Sequence, residues 1–125
     1  MGFYVAIGLS GGLGAIARVA LARVLVSSGP LAFPYSTLLV NVLGSLLIGY
    51  LAYSLPSDRL AHQESARVVI MSGFLGGFTT FSAFSLETLK MIELGEYVKA
   101  LTYVFVSLVT CLLFCALGIW FAKAA

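Results

Sequence analysis

Apolar residues run almost unbroken through four stretches, residues 3 to 26, 36 to 55, 67 to 92 and 98 to 122. Each is long enough for a helix across a bilayer, which takes roughly 20 residues. The connections are SSGPLAFPY, PSDRLAHQESA and a short one around Glu93, Gly95 and Glu96, where proline and glycine end helices. The third stretch departs from the pattern: GFLGGFTTFSAF, residues 73 to 84, sets Gly73, Gly76 and Gly77 beside Thr79, Thr80 and Ser82. An unpaired backbone group in hydrocarbon costs several kcal/mol, so a broken helix persists only where protein or a cavity meets its freed groups. The pattern predicts an all-α membrane protein of four transmembrane helices, the third broken in mid-membrane around its glycines. The freed carbonyls there are suited to a small cation.

Composition sharpens this into one transmembrane domain over residues 1 to 125. The chain is 61% hydrophobic, with a mean hydropathy of +1.07 and only 7 Lys+Arg and 5 Asp+Glu, too few charges to coat a soluble domain. The opening MGFYVAIG has no basic residues ahead of its apolar run, so it is expected to be a retained helix rather than a cleaved signal. Ala6 stands where a myristoylation motif needs Ser or Thr. Gly12-x-Gly14-x-x-Ala17 has the spacing of a dinucleotide-binding turn, but no acidic residue follows at the required distance and no alternating strands and helices surround it. His62, in a polar connection, is read as a solvated loop residue. No paired carboxylate, Cys/His cluster or phosphate loop suggests an enzyme, and no nucleic-acid partner is expected.

Polar groups at membrane depth are few and are functional by default: Arg18, Asn41, Glu87 and a row of Tyr103, Ser107, Cys111 and Cys115 recurring every four residues. That row is either a packing seam or a wet track. Arg18 and Glu87 have opposite charge and are placed to neutralise one another, directly or through Asn41; Arg18 would equally supply positive potential to an anion. Phe81 and Phe84 share a helix face, and the positive edge of an aromatic ring suits an anion. Gly8, Gly11, Gly12, Gly14, Gly44 and Gly49 are expected to bring helix backbones close. Basic residues divide evenly, with Arg59, Arg67 and Lys123 on one side and Arg23, Lys90 and Lys99 on the other. The positive-inside rule therefore sets no orientation, which permits insertion both ways and an antiparallel homodimer with its two-fold axis in the membrane plane.

GGLGAIAR, STLLVNVLGSLLIG, GFLGGFTTFSAFSLE and the polar row of the last helix together closely resemble the small bacterial fluoride channels called Fluc or CrcB. The resemblance implies a dual-topology antiparallel homodimer in the bacterial inner membrane, with two pores that export fluoride passively. It implies that backbone carbonyls of Gly76 and Thr79 from both copies hold a structural sodium ion at the two-fold axis. It also makes Phe81 and Phe84 the aromatic box facing fluoride, Asn41 the pore asparagine with Thr80 and Ser82 close by, and Tyr103 and Ser107 the start of a polar track. Cys111 and Cys115 stand where that family usually has serine or threonine, and Ala83 replaces a threonine; a thiol is a weaker donor than a hydroxyl. The competing expectation is a small proton-coupled cation exporter, which needs an acidic residue in the first helix; residues 3 to 26 contain none.

Overall fold

The computed structural model describes residues 1–25, 32–55 and 66–125. His62 and Arg59 lie outside the described residues, as does most of the connection that carries them. Four helical segments are long and apolar enough to cross a membrane: Gly2–Val24, Tyr35–Ser54, Ala66–Glu93 and Tyr97–Ala124. The first, second and fourth are continuous helices, here α1 (Gly2–Val24), α2 (Tyr35–Ser54) and α4 (Tyr97–Ala124). Large apolar side chains such as Leu9, Leu13, Leu101 and Leu112 stand exposed. Helices apolar on every side belong in lipid.

The third span is composite. A π-helical segment, Val69–Leu75, runs into a single α-helical turn, Gly76–Phe78. Thr79 (φ −88°, ψ 160°) and Thr80 (φ −153°, ψ 116°) are extended, and helix α3 (Phe81–Glu93) follows. The glycines are not where helical dihedrals are lost, contrary to expectation. Gly76 is right-handed helical at φ −61° and ψ −37°, and the one positive-φ glycine among the described residues is Gly95.

Gly73 and Gly77 instead allow close approach to α1. A Cβ on Gly77 would overlap the Gly11 carbonyl, one on Gly14 the Phe74 carbonyl, and one on Gly73 would press on Ser10. Ser10 Oγ also donates to the Val69 carbonyl at 2.8 Å, where the π-helix begins. The second seam joins α2 and α4: Gly49 meets the Cys115 carbonyl and Gly118 the Leu46 carbonyl. Without a hydrophobic drive between helices in lipid, such backbone proximity is what dispersion contacts require. Gly8 and Gly12 do not take part, since both face open space, and Gly44 accommodates a side chain, that of Thr79, rather than a backbone.

The turn between α3 and α4 is a Schellman motif. Glu96 N–H donates to the Met91 carbonyl at 2.8 Å and Gly95 N–H to the Ile92 carbonyl at 3.0 Å, with Gly95 at φ 78°. This closes α3 against α4 around Met91, Ala100 and Tyr103, with Phe33, Leu38 and Phe84 packed against them.

Candidate functional site

The junction at Thr79 and Thr80 frees backbone groups, and their replacement partners come largely from α2. Asn41 takes both peptide groups of Thr80: its Oδ1 accepts from the Thr80 N–H at 2.8 Å and its Nδ2 donates to the Thr80 carbonyl at 3.0 Å. In a continuous helix the Thr80 N–H would go to the carbonyl of Gly76. The Thr80 hydroxyl in turn accepts from the Ala83 N–H at 3.1 Å, capping α3. That N–H would otherwise go to the carbonyl of Thr79. The Gly76 and Thr79 carbonyls thus lose their helical donors to two identified competitors.

A groove of about 360 Å³ runs past this junction, between α2, the third span and α4. It gathers Asn41, Gly76, Thr79, Thr80, Phe81, Phe84, Ser107 and Cys111 from the residues singled out in the sequence. The Phe81 and Phe84 rings are tilted with centroids 5.4 Å apart, and Phe84 continues to Tyr103 at 5.1 Å. Phe81 is 75% exposed in the single chain, so one side of the groove stands open. Ser107, only 7% exposed, has a buried hydroxyl without a hydrogen-bond partner. A buried hydroxyl without a partner calls for a ligand or water.

The remaining residues are placed differently. Ser82 is exposed and lies 3.3 Å from the Thr80 hydroxyl, outside the groove lining. Cys115 also falls outside the lining, and its carbonyl sits against Gly49 in the α2–α4 seam. The four-residue row is therefore split: Ser107 and Cys111 face the groove, whereas Cys115 belongs to packing. Tyr103 is fully buried, and its hydroxyl donates to Glu87 Oε2 at 2.7 Å.

Glu87 does not pair with Arg18. Its other oxygen, Oε1, accepts from the Thr37 hydroxyl at 2.6 Å. Arg18 shares with Glu87 a second cavity of about 480 Å³, also lined by Arg23, Thr37, Thr80 and Ala83, while its Nε is buried without a partner. The reason lies in the packing. α1 is drawn against the π-helical half of the third span by its glycines, which leaves a gap beside α3.

Sequence reading gave no site role to Thr37, Gly44, Ser45 and Met71, taking Gly44 only for a glycine that brings helix backbones close. A signal for the first three was available, because residues 37, 41, 44, 45 and 48 recur at the spacing of one helix face and most of them are small or polar. Met71 sits among apolar neighbours and carried no such signal.

Residues 5–119 match the family described as CrcB-like protein, Camphor Resistance (CrcB). A fluoride-specific ion channel FluC of Francisella philomiragia is 40% identical over 118 residues, covering 92% of this chain and 90% of the relative. The protein of that name from Opitutus terrae is 42% identical over 119 residues, covering 94% and 90%. That from Legionella pneumophila strain Paris is 40% identical over 120 residues, covering 96% and 89%. Matched over most of its length by these relatives and built of four membrane-crossing helices, the chain is a multi-pass membrane protein and belongs to the CrcB-like family.

Proposed function

We propose that this protein is a passive, fluoride-selective channel of the bacterial inner membrane that exports fluoride and so relieves its toxicity. The observation that carries this reading is the Ser107 hydroxyl, buried without a partner on a residue that lines the same groove as the Phe81 and Phe84 rings. A hydroxyl proton and positive ring edges are weak donors that favour a small anion over a cation. Arranged along a narrow path, they would replace the hydration shell of the ion stepwise without holding it too tightly to leave. Asn41 holds the junction through the Thr80 peptide, with one of its two Nδ2 protons committed there. Tyr103 extends the aromatic wall, Cys111 continues the lining beyond Ser107, and Thr80 and Ser82 flank the box.

The working unit is an antiparallel, dual-topology homodimer with two pores, and the third span is broken near the middle of the bilayer. Support comes from the open side of the groove, where Phe81 is largely exposed, and from the evenly divided basic residues. A structural sodium ion between the two copies is part of this reading. The Gly76 and Thr79 carbonyls have lost their helical donors, and hard cations take oxygen ligands. When bound, the ion supplies positive charge that offsets the carbonyl dipoles at the junction.

A proton-coupled cation exporter has no support: α1 contains no carboxylate, and Glu87 is held by two hydroxyls. The deciding experiment reconstitutes the purified protein in liposomes and follows fluoride, chloride and proton-coupled cation fluxes. Fluoride efflux without a proton gradient, with chloride retained, is the expected result. Absence of fluoride efflux together with cation exchange would overturn the channel.

A further inference from the structure

Gly44 sits buried in the middle of α2, where its dihedrals are helical and glycine is a poorer helix former than alanine. Conformational freedom does not explain it, so the reason is space. A Cβ at this position would overlap the Cγ2 methyl of Thr79, with the Phe78 ring at 3.8 Å alongside. Asn41, three residues earlier and on the same face, grips the next residue of the junction, Thr80.

Thr79 is fixed at three points. Its N–H donates to the Leu75 carbonyl at 3.0 Å, its hydroxyl donates to the same carbonyl at 2.9 Å, and its methyl fills the space at Gly44. A β-branched side chain has few χ1 choices. With the hydroxyl on Leu75 and the methyl seated, the choice is set, and the orientation of the Thr79 backbone follows. Gly76 differs: it is exposed, and a Cβ there would meet nothing within 4 Å. Of the two freed carbonyls, Thr79 is the one that α2 controls.

Building on the assignment of the Gly76 and Thr79 carbonyls as cation ligands, we propose that Gly44 is a positioning residue for the cation site. The space left by its missing Cβ seats the Thr79 methyl and so aims the Thr79 carbonyl. Substituting alanine rotates or displaces Thr79, while moving the methyl from one residue to the other restores the fit.

The test measures thermal unfolding of the purified, detergent-solubilised protein while sodium is titrated against N-methylglucamine. Ligand bound only by the native state raises the midpoint in proportion to its affinity. Wild type is expected to show a saturable rise. In Gly44→Ala the sodium concentration needed rises roughly tenfold, the scale of a small overpacking defect. In Gly44→Ala/Thr79→Ser, which keeps the hydroxyl but removes the methyl, it returns to within about twofold of wild type. Fluoride flux in liposomes is expected to follow the same order. A wild-type sodium response that Gly44→Ala leaves unchanged would overturn the positioning role alone. So would a folded double variant that stays as impaired as the single one. Absence of any sodium response in wild type would overturn the cation assignment and this proposal with it. If Gly44→Ala yields no folded protein, the response of the double variant decides.

Discussion

The two halves of the third span are held by different physics. Val69–Phe78 is fixed by close approach to the α1 backbone, with Gly73 facing Ser10 and the Ile7 carbonyl, Gly77 facing Gly11, and Gly14 of α1 facing the Phe74 carbonyl. Phe81–Glu93 is fixed by side chains: the Thr80 cap, the Tyr103 and Thr37 bonds to Glu87, and the Phe84–Tyr103 ring contact. Close backbone contact tolerates no added volume, whereas a hydrogen-bonded face tolerates volume but not loss of a partner. The groove-lining Thr79, Thr80, Phe81 and Phe84 lie at or beyond the point where one regime gives way to the other.

That difference can be broken from either end. The largest effect is expected from Gly77→Val, whose side chain would drive into the Gly11 carbonyl. Overpacking here costs about 3 kcal/mol or more, and size-exclusion chromatography should show little monodisperse protein. Gly8→Val, facing open space, should behave as wild type in the same measurement; equal damage by both would refute the seam.

At the junction, Asn41→Ala leaves the N–H and carbonyl of buried Thr80 without partners. A loss of roughly 2 kcal/mol or more is expected, read as a lower unfolding midpoint together with reduced fluoride flux. Lost flux with full stability would instead place the Asn41 amide in direct contact with the ion.

In the second half, Phe81→Ile or Phe84→Ile removes ring edges while keeping apolar volume. Flux should fall about tenfold or more, equivalent to roughly 1.4 kcal/mol on the barrier, with the elution position on a sizing column unchanged. Unchanged flux in both variants would remove the rings from the mechanism. Smallest of all is Cys111→Ser, which puts a stronger donor on the groove wall and should keep or raise flux. A large loss would show that the thiol has a role of its own.

Periodicity and hydropathy made the four spans legible in the sequence to within a few residues at each end. The motif around Gly76 and Phe81 also located the unusual region. What composition could not reveal was the division of labour inside it. Glycines suggested conformational freedom, yet Gly73 and Gly77 serve contact with α1. The extended residues are the β-branched Thr79 and Thr80, held out of the helix by Asn41, 39 positions from Thr80 in the chain. The same limit applied to Glu87. Opposite charge pointed to Arg18, but its actual partners are the neutral hydroxyls of Thr37 and Tyr103, chosen by helix packing. The row ending at Cys115 looked uniform because periodicity records a face, and a slowly drifting face turns from groove to seam within two turns.

The Schellman turn at Gly95 has a consequence for biogenesis. Because only Leu94, Gly95 and Glu96 separate α3 from α4, Tyr103 reaches Glu87 across 16 residues of chain, and closing so short a loop loses little entropy. The hairpin therefore carries its own hydrogen-bond donor to the carboxylate as it leaves the insertion machinery. Glu87 is expected to enter the bilayer already partnered, before α1 or α2 has docked against it.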